Sequence, residues 1–350
     1  MRNVWLFLCC FLICLSFDSE AQFNRKQIKK NNKRIASYRG RKQHFGREKI
    51  YNAVSISLNA TNYYGDLAPK PNKFSTDISF TRPGIGISLN HRFGPRYTLM
   101  GQFMVTTLRG SDKESADPND DSGGSRYLRN MEFRNTIKEF STVAIFDLFE
   151  NQATYISRVR WTPYAFVGVA GFISNPKARA PETDLNGNPL AEAGKWVKLR
   201  PLGTEGQHAD LLETDANYGK KPYKAFQFAI PFGFGARFRI NQVLDVWGDI
   251  GFRYTFTDYL DDVSGNYVDL GVFGNDELAR AMSYRTNELN PGGLTPELAR
   301  NGQTYQLRPG YGKEHPNNIR GSDNDKDIYM VTSIRLSYII GATYHKARFR

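Results

Sequence analysis

Seven apolar side chains recur two residues apart over a fifteen-residue stretch: Phe226, Phe228, Ile230, Phe232, Phe234, Phe238 and Ile240, with Ala236 at the one missing position. Between them stand Gln227, Ala229, Pro231, Gly233, Gly235, Arg237 and Arg239. A period of two puts successive side chains on opposite faces of a β-strand, so one face is large and apolar and the other small or charged. Met330, Thr332, Ile334, Leu336, Tyr338 and Ile340 repeat the pattern opposite Ser333, Arg335, Ser337 and Gly341. Leu244, Val246, Ile250, Phe252, Tyr254 and Phe256 do so opposite Asp245, Asp249, Arg253 and Thr255. Ile85, Ile87 and Leu89 alternate with Gly86, Ser88 and Asn90, and Val54, Ile56 and Leu58 with Ala53, Ser55 and Ser57. Fainter alternation over 97–107 carries Leu99, Phe103 and Val105. Over 137–149, Phe140, Ala144, Phe146 and Leu148 stand opposite Glu139 and Ser141. Residues 162–173 are apolar on both faces and give no phase.

Eight strands are expected, near 50–59, 84–93, 96–107, 137–149, 162–173, 225–240, 244–256 and 328–344. The connections between them run about 24, 2, 29, 12, 51, 3 and 71 residues. Gly94-Pro95 and Asn241-Gln242 supply turn residues in the two shortest. A soluble sandwich would turn its polar faces to water and has no reason to alternate long and short connections. A membrane barrel does, with short turns on the periplasmic side and long loops outside. Closure follows from hydrocarbon, where an open sheet edge would leave backbone groups unpaired at several kcal/mol each. The expected fold is therefore all-β, an eight-stranded antiparallel up-and-down transmembrane β-barrel with long extracellular loops. Its lumen holds an ion network of Glu139, Arg237, Arg239, Asp249, Arg253 and Arg335. A barrel of this size is filled by side chains and leaves no channel. Tyr51, Phe93, Tyr97, Phe149, Trp161, Tyr259, Tyr344 and Phe349 are expected at the interfacial girdles. Trp196-Val197-Lys198-Leu199 is a candidate for further strands that would raise the number to ten.

Composition agrees. Aromatic residues make up 13%, glycine numbers 31, and the mean hydropathy of −0.53 is too polar for a bundle of membrane helices. Residues 1–21 are expected to be a signal peptide. Arg2 precedes the apolar run Val4–Phe17, and Ser19 and Ala21 are small residues placed for cleavage before Gln22. An uncleaved anchor is the alternative, although fourteen apolar residues fall short of the ~20 a spanning helix needs. Cys9, Cys10 and Cys14 all fall inside this segment, so the remaining chain has no disulfide and no thiolate chemistry.

Residues 22–49 form a basic tail, expected to be periplasmic and flexible, ahead of a barrel domain over 50–350. The tail holds eleven basic residues, among them Arg25, Lys26, Lys29, Lys30, Lys33 and Arg34, against the single acid Glu48. Most of the formal net charge of +12 belongs to it. In an exported chain the expected partners are anionic lipid headgroups or an acidic protein, not nucleic acid, with a solvated tether as the bland alternative. The five histidines (His44, His91, His208, His315, His345) show no metal-ligand spacing. The aspartates at 117, 120 and 121 and at 323, 325 and 327 lack the glycine and terminal glutamate of an EF-hand loop. No G-x-S-x-G occurs. Asp258, Asp261 and Asp262 with His315 or His208 could be imagined at a rim, but nothing in the spacing selects them. No catalytic residue, metal or cofactor is expected.

Several motifs fall in a familiar order. Tyr63-Tyr64-Gly65-Asp66-Leu67 follows the first strand and Arg129-Asn130-Met131-Glu132-Phe133 precedes the fourth. Thr162-Pro163-Tyr164-Ala165-Phe166, Asn175-Pro176-Lys177-Ala178 and Pro201-Leu202-Gly203-Thr204-Glu205-Gly206-Gln207 come next. Ile230-Pro231-Phe232-Gly233 and the run Thr255 to Ser264, TFTDYLDDVS, complete the set. Over roughly residues 50–270 the chain resembles the PorG family of outer-membrane β-barrel proteins of the type IX secretion system, which is coupled to gliding motility in some bacteria. The resemblance implies a non-enzymatic barrel in the outer membrane of a Gram-negative bacterium that associates with periplasmic ring components of the secretion machine. It carries over no catalytic residues. The basic tail is then expected to dock on an acidic ring partner. The alternative is a stand-alone barrel with surface binding loops, adhesin-like, and a third class is an outer-membrane enzyme.

Overall fold

A computed structural model describes residues 45–46, 49–68, 78–119, 121–323 and 326–340. The expected signal peptide and the tail residues Arg25, Lys26, Lys29, Lys30, Lys33 and Arg34 lie outside the described residues, as do Tyr344 and Phe349.

The strands, in chain order, are β1 (Tyr51–Tyr64), β2 (Arg82–Arg92), β3 (Tyr97–Ser111), β4 (Glu132–Asp147), β5 (Trp161–Ile173), β6 (Lys177–Arg179), β7 (Trp196–Lys198), β8 (Phe226–Arg239), β9 (Leu244–Thr255), β10 (Thr295–Leu298), β11 (Thr304–Leu307) and β12 (Ile328–Ile340). Eight of them close a ring of antiparallel pairs in the order β1, β2, β3, β4, β5, β8, β9, β12, with β12 returning to β1 over Asn52↔Ile340 to Tyr64↔Ile328. Closure leaves no edge among these eight. The remaining strands belong to the long loops. β6 pairs with β4 at Arg134↔Lys177 and with β7, and β10 pairs with β11. Trp196–Lys198 is thus a strand, as its composition suggests, but it extends the sheet beyond the barrel and adds no stave to it.

The faces follow the period-two reading. Outward residues are exposed although apolar: Leu58 68%, Val169 67%, Ile334 66% and Phe234 62%. In a sandwich these side chains would meet a second sheet, whereas here they form the outer wall. Inward residues on the same strands, from Ser55 and Ser57 to Ser333, Arg335 and Ser337, are buried. Such an inside-out distribution suits hydrocarbon outside and a polar interior.

β5 was unreadable because both its faces are apolar. Tyr164, Phe166 and Phe172 point inward and are buried, and Val167 and Val169 point out. The glycines opposite make room for the inward rings. A Cβ on Gly251 would lie 2.6 Å from Phe166 Cζ, one on Gly233 2.8 Å from the same atom, and one on Gly235 2.7 Å from the Tyr164 hydroxyl. Pro231 has no N–H to donate, and the ladder between β5 and β8 skips from Val167↔Phe232 to Ala170↔Ala229 around it.

β1, β3 and β4 run longer at the long-loop end than expected, to Tyr64, Ser111 and from Glu132. On β3 and β4 the outward residues there are polar (Thr107, Arg109, Arg134, Thr136), so hydrophobic alternation stops where lipid stops while the pairing continues. At the short-turn end Phe93 stacks on Tyr97 with centroids 6.1 Å apart, and Phe149 meets Trp161 edge-on at 5.7 Å. All four rings are exposed there, as a girdle requires. Tyr259 is not in a girdle. It lies in the last loop, stacked on Tyr223 at 4.7 Å, because its hydroxyl reaches a buried acid, Glu205, at 3.1 Å.

Candidate functional site

The lumen is built in layers. Nearest the short turns, Asp147 at the end of β4 accepts from Arg92 of β2 and Arg237 of β8, both at 2.7 Å, with all three buried. Arg92 also donates to the Pro95 carbonyl at 2.6 Å. Arg158, in the 148–160 turn, pairs with Asp245 of β9. Above this layer Trp247 lies under two guanidinium groups, Arg237 at 4.9 Å and Arg335 at 5.8 Å from its ring centre. Arg335 pairs with Asp249 at 3.3 Å, and Tyr164 donates to the same carboxylate at 3.0 Å. Higher still, Glu139 accepts from the Tyr329 hydroxyl at 2.6 Å and faces Arg253 at 3.6 Å. Each charge has a partner of opposite sign, which is what a low-dielectric interior demands of ions it retains.

Five of the six residues proposed for this network therefore lie in it: Glu139, Arg237, Asp249, Arg253 and Arg335. Arg239 does not. It sits one pleat further along β8, at the rim, and donates to the backbone carbonyls of Ile156 and Arg158. Parity alone cannot tell where the barrel ends. Asp147 and Arg92 were missed, although each continues the inward phase of Glu139 on β4 and of Asn90 on β2.

Toward the long loops the lumen becomes apolar and merges with a folded cap. Met104, Leu108, Ile137, Phe172 and Val331 from the barrel pack with Leu67, Met131, Leu260, Tyr267 and Leu270 from the loops in one buried cluster. Burying side chains of this size contributes about 1.5–3 kcal/mol each, enough to hold loops that carry little regular structure.

Two ionic knots tie the cap. In the first, Arg129 grips Asp112 through Nε and Nη2 at 2.7 and 2.8 Å, and donates to the carbonyls of Arg320 and Asp66. In the second, Glu205 accepts from Arg320 at 2.8 Å and from the amides of Ser264 and Gly265 at 2.8 and 3.0 Å. Beside it Asp262 accepts from Thr204 and Tyr223 at 2.5 and 2.6 Å. Asp262 holds φ at 71° and Asn130 at 54°, conformations that L-residues adopt at a cost and keep only where neighbours enforce them. Gly321 admits no side chain, since a Cβ would come within 2.6 Å of Asp66 Oδ2 and Val263 Cγ1.

At the barrel mouth the Tyr63 hydroxyl lies 2.7 Å from Asp261 and 2.6 Å from Asp327. A phenol has one hydrogen, so one of the two contacts requires a proton on the carboxyl. Burial pushes Asp66 up to about 6 and Asp327 to about 7. Burial and then repulsion from Asp327 bring Asp258 to about 8 and move Asp261 in the same direction. Burial also raises Asp262 to about 6 against the opposing charge of Arg320. His208 donates through Nε2 to the Arg200 carbonyl at 3.0 Å, and His315 accepts from the Asn317 amide. Neither is hydrogen-bonded to these aspartates. No group of three metal-ligating side chains occurs among the described residues.

Residues 44–186 match a family described as Domain of unknown function (DUF6089). No curated protein matches the chain. Among solved structures the chain is similar to the attachment invasion locus protein Ail of Yersinia pestis, crystallised with the heparin analogue sucrose octasulfate. The identity is 7% over 83% of this chain and 99% of that one, at a TM-score of 0.32. It is similar to the outer membrane protein OprG of Pseudomonas aeruginosa at 8% identity over 86% and 100%, TM-score 0.34. A major outer membrane protein of Thermus thermophilus gives 10% over 82% and 99%, TM-score 0.35. With scores and identities this low, the outer-membrane barrel architecture rests on the strand pairing and outward apolar wall described above.

Proposed function

We propose that the chain is a structural and assembly component of a type IX protein secretion system, held in the outer membrane and joined to periplasmic ring proteins by its basic tail. The reading is supported by one observation. The motifs that carry the family resemblance, separated in sequence, interlock. Asp66 and Arg129 meet through the Asp66 carbonyl, and Glu205 binds the amides after Asp262. Phe166 fills the space left by Gly233. Residue types spread over some two hundred positions thus serve a single cap and wall, which supports reading them as one set. In this role the barrel is an anchor. Its lumen is packed with paired ions, and it performs no catalysis and does not conduct the secreted chains.

The test is a strain lacking the chain. A secretion role predicts that many exported proteins fail to reach the surface, and that the full-length chain restores them. Removing residues 22–49 should abolish co-purification of ring proteins at low salt, and recovery of the ring by that deletion would refute docking through the tail. A second reading, a stand-alone barrel with binding loops, is favoured by the folded cap that residues 256–327 build over the mouth. It predicts normal export with lost attachment.

A further inference from the structure

Outside the barrel, above its lipid-facing wall, lies a concentration of positive charge that neither the lumen nor the cap uses. β3 and β4 continue past the apolar band, and β6 and β7 widen the sheet beside them. In that extension Arg109 stands opposite Arg134, Arg134 opposite Lys177, and Lys177 opposite Lys198. Four cations occupy one cross-strand row, with Arg134, Lys177 and Lys198 exposed and Arg109 half-buried. Like charges directly opposite on a sheet repel and destabilise it. Glu114 answers Arg109, and Glu132 faces Arg285 at 3.6 Å. Among the described residues no carboxylate lies within ion-pair distance of Arg134, Lys177 or Lys198. Arg82 and Arg179 face the same groove, a cavity of about 550 Å³, where Arg179 lies over Trp196 at 5.6 Å.

The height of the row decides what can fill it. The outward residues of β4 read Phe146, Ala144, Thr142, Phe140, then Lys138, Thr136, Arg134. With about 3.4 Å per residue and a tilt near 40°, Lys138 stands about 5 Å above Phe140 and Arg134 about 15 Å above it. The ten residue steps from Leu148 to Lys138 cover roughly the 25 Å of an outer-membrane apolar band. The cationic row therefore stands at headgroup depth, directly over Phe103, Phe140 and Ile173 on the wall below.

We propose that this row docks the phosphorylated headgroup of an outer-leaflet glycolipid, whose acyl chains lie along the apolar wall beneath it. A membrane-anchored ligand is favoured over a soluble polyanion because the cationic groove and the lipid wall are continuous on the same strands. Guanidinium and ammonium groups bind phosphate oxygens through charge-assisted hydrogen bonds, so the anion would relieve the repulsion the row now carries.

The test uses the full chain in phosphatidylcholine nanodiscs, with lipid retention read by native mass spectrometry. Bisphosphorylated lipid A is compared with the same lipid after removal of its phosphates. The wild type should retain the phosphorylated form at least about tenfold better, consistent with more than one charge-assisted contact. The triple variant Arg134→Glu, Lys177→Glu, Lys198→Glu should lose that preference. The gentler Arg134→Gln, Lys177→Gln, Lys198→Gln set should lose it too, which covers the case in which charge reversal disturbs folding. Lys224→Glu, at the long-loop end of β8, should keep it. Equal retention of both lipids by the wild type would overturn the proposal, as would an unchanged preference in the glutamine variant. Row-dependent capture of a soluble heparin fragment with no preference for lipid A would overturn it as well.

Discussion

Replacing Asp147 by alanine tests the lumen most sharply. One carboxylate oxygen holds Arg92 and Arg237, each at 2.7 Å, in a layer closed to solvent. At an effective dielectric of about 20, opposite charges 4 Å apart attract by ~4 kcal/mol, and two such pairs share this acid. Part of that attraction offsets the cost of burying the ions, so the net loss is better taken from broken buried pairs, about 3–5 kcal/mol. Two cations are stranded here instead of one, which places Asp147→Ala toward the upper end, near about 5 kcal/mol. The Pro95 carbonyl and the Trp247 ring remain as partial partners and keep the figure from doubling. The assay is urea titration of folding into lipid vesicles, followed by tryptophan fluorescence. Arg239→Ala is the internal control. Its guanidinium sits at the rim on backbone carbonyls, and its loss should cost under about 1 kcal/mol. Replacing all three members together, Arg92→Met, Asp147→Leu and Arg237→Met, should recover most of the stability because no charge is left unpaired. An Asp147→Ala protein within about 1 kcal/mol of the wild type would show that the lumen is hydrated enough to screen these ions, and the reading of a sealed ionic core would fail.

The outward wall can be tested at Phe234, near the middle of β8, where lysine should cost about 2–4 kcal/mol if the residue meets hydrocarbon and nearly nothing if it meets water; the same vesicle titration reads it. Reconstituted in a planar bilayer, the full chain should show no steady ion conductance, since its lumen is filled along its length. The cap should loosen as pH rises. Asp66, Asp258, Asp261 and Asp327 are raised in the folded chain above the ordinary 3.8, so their contribution is complete below about pH 4 and is lost as pH climbs through about 6 to 8. Hydrogen-exchange protection over residues 256–327, taken relative to the intrinsic exchange rate at each pH, should accordingly be lower at pH 8.5 than at pH 5, with the protection of the barrel strands unchanged. Gly321→Ala forces a methyl against Asp66 and Val263 and should destabilise the cap by about 1–3 kcal/mol, visible as earlier proteolytic cleavage in the last loop.

Much of the barrel could be read from the chain because one physical demand repeats along it. Every stave must show hydrocarbon a large side chain and the lumen a small or charged one, so Phe226 to Ile240 announces its phase without any neighbour. The reading weakened where that demand relaxes. β5 hides its phase because Tyr164 and Phe166 are large on the inward face, a choice allowed only by Gly233, Gly235 and Gly251 on strands far away in sequence. The ends of β3 and β4 were cut short because Arg109 and Arg134 stand above the lipid, where pairing persists without an apolar signal. In the lumen, inward parity located Glu139, Asp249, Arg253, Arg237 and Arg335, but parity carries no height, and so it enrolled Arg239 at the rim. The cap was the least legible part. Arg320 with Glu205 and Arg129 with Asp112 join residues far apart in the chain, and no local period encodes such contacts.

The filled lumen constrains where any function can reside. A barrel whose interior is occupied by Arg92, Asp147, Arg237, Trp247, Arg335, Asp249, Arg253 and Glu139 offers no passage, and the side chains that seal it are engaged with one another. Binding must then occur at its surfaces: the outer wall, the cap, or the short-turn end where the first and last strands of the ring begin and finish. These surfaces are chemically unlike. The wall carries an apolar band with cations above it, and the cap is held by buried ionic knots. β1 begins at Tyr51 on the same end of the ring as Ile340, the end opposite the cap. The paired ions and packed rings inside would make the barrel stiff, because any shear between strands would separate charges that have no solvent to replace their partners.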